Sequence, residues 1–317
     1  MACPPIMKRE VAGRVRGTSI LSSINRDRYL YLLILPGFLY LLLFRLLPMY
    51  GLFISFQEFS PFLGIFNSKW VGLENYIRFF RNEDFFMLLR NTLAISFTKI
   101  ILFFPFPVIL SLMLNEVQNK HLKKTVQNVI YIPHFVSWVV VVSLTYILFS
   151  RDSGIVNTLI VNMGLDEFDF LTNRNIFWVM LGSQNLWKEV GWGTIIFLAA
   201  ISGVDPALYE SAVIDGANRL QSMRFITFPS IKNVIVTMFL LQLGEVMVSG
   251  FEHVFLMQNA VVSDVAEVFE TYIYRTGILN GQFSYSTAVG LFQSLTGFLL
   301  VILSNYLVKK TGDEGIF

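Results

Sequence analysis

Long apolar segments constrain this chain more than any other feature. Six stretches are each long enough to cross a bilayer as a helix of about 20 residues, at 29–53, 86–114, 128–150, 176–200, 230–256 and 285–308. Only 15% of the 317 residues are charged, against about 25% in soluble domains. The sequence therefore predicts an all-α membrane protein with six spans, in a single transmembrane domain over 29–310.

The distribution of Lys and Arg predicts the orientation. Fourteen of them lie in the tail 1–28 and in the segments after the second, fourth and sixth spans, and seven lie in the segments on the other side. Positively charged loops favour the cytoplasm, so both tails, 1–28 and 311–317, and the loop 202–229 are expected there. The basic tail 1–28 is expected to be solvated and to contact anionic lipid headgroups.

A polar interruption at 206–229 separates the fourth and fifth spans. Asp205 can cap a helix that starts at Pro206, because Asp is a good N-cap and proline suits the first helical turn. Small or apolar residues recur there at helical spacing and predict one apolar helix face, at Tyr209, Ala212, Val213, Gly216 and Leu220. Such a face could dock into a partner protein, or it could belong to an amphipathic helix lying on the membrane.

The same stretch carries Glu210-Ser211-Ala212, then Gly216, Ile226 and Pro229. This pattern resembles the Glu-Ala-Ala coupling loop of ATP-binding-cassette importer permeases, in the MetI-like, binding-protein-dependent carbohydrate-uptake family. Ser211 stands where that family more often has Ala. The resemblance implies a six-span type I transmembrane domain with a cytoplasmic coupling helix, and it implies that an ATPase contacts Tyr209, Glu210, Ser211, Ala212, Asp215, Gly216 and Pro229.

The resemblance also implies partners and a division of labour. Two copies of a cytoplasmic ATPase would bind ATP and Mg, a second, different permease chain would complete the pore, and an external sugar-binding protein would deliver the cargo. The chain has no G-x-x-x-x-G-K-[ST] phosphate loop of its own. It is therefore expected to be a non-enzymatic transport subunit of the bacterial cytoplasmic membrane that binds no cofactor, metal or nucleic acid.

Two spans carry polar residues that are costly in lipid and usually face a bundle interior or a pathway. They are Gln184, Asn185, Trp187, Lys188, Glu189 and Trp192 in the fourth span, and Gln242, Glu245 and Ser249 in the fifth. The i, i+3, i+7 spacing of the last three predicts one helical stripe. Such residues supply hydrogen bonds to sugar hydroxyls and aromatic surfaces for sugar C–H groups.

The resemblance implies that Lys188, Glu189, Trp192, Gln242, Glu245 and Ser249 line a sugar path. Alternatively, Lys188 and Glu189 form an ion pair that joins helices. A cation at Lys188 would favour an acidic, uronic-acid-containing oligosaccharide, whereas Glu189 and Glu245 oppose a purely positive path. Overall the sequence resembles permeases for complex oligosaccharides, including those derived from pectin or alginate.

Other polar and aromatic residues allow several readings. Lys99 could snorkel or pair with a carboxylate, and Pro105 and Pro107 predict a kink in the second span. The aromatic outer loop 54–85 could form an interfacial helix or contact the external binding protein. The histidines His121, His134 and His253 match no metal spacing, and structural roles are expected for them.

Two other function classes stay open at this point. An ion-coupled secondary transporter could use Lys188 or Glu245 as its proton carrier, although the 206–229 motif would then have no role. A membrane-embedded enzyme or sensor would be expected to show a motif such as H-E-x-x-H or an added soluble domain, and the sequence has neither.

Overall fold

The computed structural model describes residues 28–310, except for the side chain of Leu102. The predicted tail 311–317, and the tail 1–28 apart from Arg28, lie outside the described residues. The chain divides into two compact units at Leu52 and Phe53.

Helices make up most of the described chain. In order they are α1 (Arg28–Leu41), α2 (Gly64–Asn67), α3 (Glu74–Phe80), α4 (Asp84–Phe97), α5 (Pro105–Glu116), α6 (Lys120–Tyr131), α7 (Trp138–Phe149), α8 (Ile155–Asn162), α9 (Phe177–Ser202), α10 (Pro206–Ile214), α11 (Arg219–Ser222), α12 (Phe228–Ser230), α13 (Lys232–Gly244), α14 (Phe251–Met257), α15 (Ser263–Ala266), α16 (Phe269–Ile273) and α17 (Phe283–Lys310).

Shorter helical turns join several of these helices. The π turns are Leu42–Leu46, Thr98–Phe103, Met223–Thr227 and Tyr274–Leu279, and the 3₁₀ helices are Leu47–Phe56 and Ile132–Phe135. The π turn Thr98–Phe103 directly precedes Pro105, where the sequence predicts a kink, and Asp84–Glu116 remains one helical run.

The first unit contains the helical run that begins at Arg28. Most of the side chains in this run are apolar. None of the residues of α1 is buried. Exposed leucine, phenylalanine and tyrosine side chains along a whole helix are expected where lipid is the solvent. This helical run covers the predicted first span 29–53.

Three helical runs are long and apolar enough to cross a membrane in one piece: Arg28–Phe56, Asp84–Glu116 and Phe283–Lys310. Three more qualify only as bent pairs, with 103° between Lys120–Phe135 and Trp138–Phe149, 71° between Phe177–Ser202 and Pro206–Ile214, and 58° between Arg219–Ser230 and Lys232–Gly244. The described residues thus hold up to six spans if each bent pair is one span.

The predicted span 128–150 is not one continuous helix. The chain leaves α6 through the 3₁₀ turn that contains Pro133, and α7 begins afresh at Trp138, where the side chain of Ser137 accepts a hydrogen bond from Val140 N. Proline has no backbone N–H and cannot extend a helix through this point. The expectation of an unbroken helix here was therefore wrong.

The predicted span 230–256 is also interrupted. Helix α13 ends at Gly244, and α14 starts only after Gly250, which adopts a left-handed conformation with φ of 90°. Glycine accepts this conformation without the steric cost that a Cβ would add. The polar stripe predicted for Gln242, Glu245 and Ser249 is therefore not one face of a regular helix.

Side chains from other elements satisfy the backbone groups that this interruption frees. Ser96 Oγ donates to Val246 O at 2.6 Å, and Gln293 Nε2 donates to Met247 O at 2.6 Å. Lys99 Nζ donates to Ser249 O at 2.7 Å. In addition, Glu270 Oε1 accepts from Ser249 N at 2.7 Å. Unpaired backbone groups are very costly in a membrane, so these four side chains stabilise the break; we call them the backbone clamp.

Helix α9 connects two separate parts of the core. Its N-terminal end packs through Phe177 and Leu181 into one buried cluster that includes residues of α14, and its C-terminal end packs through Phe197 and Ile201 against α5. Between these ends, Gly191 lies so close to α6 that any Cβ would overlap the Ile130 carbonyl oxygen.

The outer-loop segment contains a small hairpin as well as short helices. Strands β1 (Gln57–Glu58) and β2 (Lys69–Trp70) pair antiparallel, with Gln57 opposite Trp70. Two short helices, α2 and α3, follow from the same segment. Residues 151–153 form a turn.

Replacing Ser96 by Ala should lower the free energy of unfolding. The Val246 carbonyl would lose its partner in a buried site, which costs about 1–3 kcal/mol. The matched control is Ser143→Ala, because Ser143 Oγ is exposed and bonds Val139 O within its own helix. Thermal unfolding of the detergent-extracted complex measures both; equal stability of the two variants would contradict the clamp.

Replacing Gly191 by Ala should also destabilise the fold, by about 1–3 kcal/mol, because the added methyl group collides with backbone and not with a movable side chain. Gly203→Ala serves as the control near the end of the same helix, since its Cβ would meet Ala200 O at 3.4 Å, an ordinary contact. The amount of folded protein in membranes and its melting temperature report the effect. A Gly191→Ala protein as stable as Gly203→Ala would refute the close approach.

Candidate functional site

The candidate coupling segment begins with a well-capped short helix. Asp205 Oδ1 accepts from Ala207 N at 2.9 Å, and Pro206 is the first residue of α10. Gly216, with φ of 78°, lies just beyond the end of α10, and Asn218 and Gln221 then form a capping box that starts α11. The start and end of each helix in this segment are therefore set by residues of the segment itself.

One side of α10 is anchored and the other is exposed. Tyr209 is half-buried, and its hydroxyl is 2.9 Å from Oγ1 of the buried Thr227. Glu210 and Ser211 are exposed, and Ile214 is 86% exposed. The segment exposes further apolar side chains, those of Leu208, Val213 and Leu220. A group of exposed apolar residues bordered by polar ones is typical of a docking surface.

The seven predicted coupling residues do not all lie on one helix. Tyr209, Glu210, Ser211 and Ala212 belong to α10, Asp215 and Gly216 form the turn after it, and Pro229 lies in α12. The continuous apolar face predicted through Gly216 to Leu220 was wrong, because the left-handed Gly216 ends the helical periodicity.

A cavity of about 660 Å³ lies between α9, the helical run Asp84–Glu116 and the interrupted segment from α13 to α14. Six of the nine predicted substrate-path residues line it: Asn185, Glu189, Trp192, Gln242, Glu245 and Ser249. The break after Gly244 brings the last three to the same wall without helical periodicity. Aliphatic and aromatic side chains line most of the rest, and the aromatic ones include Phe103, Phe104, Phe197 and Trp138.

The other three predicted path residues are not part of the cavity lining. Gln184 is buried and hydrogen-bonded to Thr145 Oγ1 at 2.7 Å. Trp187 is 47% exposed on another side of α9. Lys188 is 7% exposed and donates from Nζ to the main-chain oxygen of His134.

The cation that borders the cavity is Lys99 and not Lys188. Lys188 Nζ also lies 3.6 Å from Glu189 Oε1, which agrees with the alternative that these two residues join helices. Lys99 lies in the π turn, and its Nζ reaches Ser249 O at the cavity wall. Because π turns are often found at functional sites, this turn is the feature that marks Lys99 as a site residue.

Two histidines contribute to the cavity in a way that sequence spacing did not reveal. The ring of His134 stacks on Trp192 with centroids 4.4 Å apart, and the ring of His253 stacks on Trp138 at 3.8 Å. His134 and Trp138 lie on either side of the break before α7. The run 132–138 contains a proline, a histidine and a tryptophan, and this combination was the sequence feature that could have indicated a break lined by site residues.

A second groove, of about 810 Å³, lies on the segment predicted to face outward. Charged residues line much of it: Glu58, Lys69, Glu74, Arg78 and Arg81. Nearby, Arg275 donates to Glu267 Oε1 at 2.8 Å, and this hydrogen bond raises the pKa of the Arg275 guanidinium. The groove carries both positive and negative side chains, as protein-binding surfaces often do.

Comparison with known proteins identifies the family. Residues 104–313 match the family described as binding-protein-dependent transport system inner membrane component. The polygalacturonan/rhamnogalacturonan transport system permease protein YteP of Bacillus subtilis (strain 168) is 51% identical over 94% of this chain and 93% of its own length. Protein LplB of the same organism is 46% identical over 95% of each chain.

Solved structures agree. A chain of a bacterial alginate ABC transporter, crystallised in complex with an alginate pentasaccharide-bound periplasmic protein, superposes with a TM-score of 0.86 and 35% identity over 94% of this chain and 99% of that chain. The resemblance noted from the sequence is thereby confirmed. The chain belongs to the binding-protein-dependent transport system inner membrane component family, the membrane permeases of ATP-binding-cassette importers.

Proposed function

We propose that this chain is a permease subunit that carries an oligosaccharide rich in uronic acid across a bacterial cytoplasmic membrane. The named cargo of the YteP relative is polygalacturonan or rhamnogalacturonan, and that of the structural neighbour is alginate. These are acidic polysaccharides. The cavity fits such a cargo because it combines tryptophan surfaces with amide, carboxylate and hydroxyl groups.

One observation carries the mechanism: α9 is a continuous helix between the cavity and the candidate coupling helix. It places Glu189 and Trp192 on the cavity wall, and its C-terminal end leads to α10 through a bend of 71°. A helix of 26 residues is about 39 Å long. A push on α10 would therefore reach the cavity through one stiff element.

The proposed cycle is alternating access driven by a separate ATPase. Two ATPase copies, with ATP and Mg bound, close against each other. One copy holds the exposed surface of α10 at Glu210, Ser211 and Ile214 and moves this helix as it closes. Asp215, Gly216 and Pro229 shape the turns on either side, while Tyr209 and Ala212 join α10 to its own domain. The spans then open outward, and ATP hydrolysis returns the cavity to the cytoplasmic side.

The remaining partners follow from the same proposal. The chain would form six spans with both termini in the cytoplasm, and it would pair with a second, different permease. An external sugar-binding protein would contact the groove that contains Arg78 and Arg81. Such a partner is present for the alginate transporter, which was crystallised with its periplasmic protein.

We assign the recognition of the cargo's negative charge to Lys99. Lys99 lines the cavity and its Nζ donates to a neutral carbonyl, whereas Lys188 does not line it and lies 3.6 Å from the Glu189 carboxylate. A buried or half-buried cation attracts a carboxylate far more strongly than a solvated one does. We therefore place the selectivity for an acidic sugar at Lys99.

Replacing Gly216 by Ala should abolish most uptake while the complex still assembles. The φ of 78° costs a non-glycine residue about 1–2 kcal/mol, so the turn that presents α10 should change its shape. The matched control is Gly164→Ala, because Gly164 has a φ of 79° and equally open surroundings but lies in the loop predicted to be outside.

Uptake by cells and ATPase activity of the purified complex measure this effect. Gly164→Ala should retain both. If Gly216→Ala transports as well as Gly164→Ala, or if both fail alike, the coupling role of the α10 turn is contradicted.

Replacing Lys99 by Gln should narrow the preference for acidic over neutral oligosaccharides, because the amide can still donate to Ser249 O but carries no charge. In a competition assay, trigalacturonate should inhibit uptake by the wild type more strongly than a neutral galactan trisaccharide does, by about tenfold or more. The difference should shrink in Lys99→Gln but persist in Lys188→Gln. Equal inhibition by both sugars in the wild type would contradict an acidic cargo.

A further inference from the structure

Trp192 lines the cavity with one face of its indole covered by a histidine. The rings of Trp192 and His134 are nearly parallel, with 7° between their planes and 4.4 Å between their centroids. Trp192 is nevertheless 48% exposed. A ring that is covered on one side and exposed on the other is restrained in orientation while still able to bind a ligand.

Hydrogen bonds from α9 hold His134 at both ends. His134 Nδ1 lies 2.8 Å from Glu189 Oε2, and its main-chain oxygen accepts from Lys188 Nζ. His134 lies at the break between α6 and α7. It therefore ties this break to α9 and fixes the angle at which the Trp192 ring meets the cavity.

The same arrangement occurs a second time. Trp138 stacks on His253 with centroids 3.8 Å apart and 11° between the planes, and both residues line the cavity. His253 Nε2 lies 2.6 Å from Gln184 Oε1, so α9 again supplies the group that orients the histidine. Each tryptophan is thus supported by a histidine that a side chain of α9 orients, and Trp138 additionally has Lys188 Nζ over its ring, 5.5 Å from the centroid.

Unused hydrogen-bonding capacity lies beside the second pair. Ser249 Oγ and His253 Nδ1 are both buried and have no hydrogen-bond partner among residues 28–310. Buried polar atoms are almost always paired in folded proteins. Both residues belong to the cavity wall, so this unused hydrogen-bonding capacity lies directly behind the surface beside Trp138.

We propose that the two histidine-backed tryptophans, Trp192 on His134 and Trp138 on His253, are two sugar-ring platforms of the import path. In this assignment the tryptophans bind the C–H faces of two pyranose rings, and the histidines are positioning residues. The assignment deepens the proposed function and rests on it. A ring that is already held in place loses less conformational entropy on binding, which gives tighter contact.

The test measures uptake of radiolabelled trigalacturonate by the complete transporter in cells, as apparent KM and maximal rate. Trp192→Ala should raise KM about tenfold, and Trp138→Ala should raise it similarly. His134→Ala should raise KM about three- to tenfold, the range expected from losing one aromatic stacking partner. His134→Phe should restore most of the loss, because it restores a flat ring without the bond to Glu189.

Two further comparisons separate positioning from a general structural role. The double variant His134→Ala/Trp192→Ala should have the KM of Trp192→Ala alone, because the histidine acts only through the tryptophan. His121→Ala is the matched histidine control, since the His121 side chain is exposed; it should have wild-type KM. Membrane abundance of every variant is measured in parallel.

The outcomes distinguish this inference from the function on which it rests. If the tryptophan variants raise KM but His134→Ala does not, or if its effect adds fully to that of Trp192→Ala, the platform assignment is overturned while the sugar path stands. If neither tryptophan variant changes KM while the wild type imports trigalacturonate, the platform assignment is overturned and the proposed function stands. If the wild type imports no trigalacturonate, the proposed function fails and the inference fails with it.

Discussion

The interruption of the chain between Gly244 and Gly250 depends on one constraint: lipid offers no partner to a free backbone N–H or C=O group. Ser96, Lys99, Glu270 and Gln293 supply those partners from three other parts of the chain. A regular helix would have needed none of them. The break is tolerated because it is buried in protein and lines a cavity, which are the conditions under which irregular backbone occurs at membrane depth.

The same break creates the chemistry of the cavity. It turns Glu245 and Ser249 toward the space beside α9, and it brings Lys99 to the wall as a consequence of its bond to Ser249 O. Lys99 is therefore both a backbone partner and the cation at the cavity wall. Under the proposed function, a change at this residue acts on stability and on selectivity together.

Helix α9 unites the elements that matter for function. Its length joins the core beside the cavity to the core beside the coupling segment, and Gly191 lets its backbone approach α6 without a side chain between them. Its side chains Gln184 and Glu189 orient the two histidines. A movement of this helix would shift the tryptophan surfaces together, which provides a physical route from an ATPase to bound sugar.

The sequence by itself determined the solvent of the protein, the helical class, the family, the capped helix at 206–214 and six of the residues that line the cavity. These follow from apolar length, from local capping chemistry and from a short motif, all of which are local along the chain. It did not determine that the third and fifth apolar segments break, that Lys99 replaces Lys188 at the cavity, or that His134 and His253 lie on tryptophans. Pro133 marks the first of these breaks in the local sequence, whereas the other outcomes depend on partners up to about 150 residues away, such as Ser249 for Lys99. Hydropathy is averaged over a window of neighbouring residues. It therefore contains no information on the distant side chains that stabilise a break, or on which aromatic rings stack, and only the tertiary structure decided these contacts.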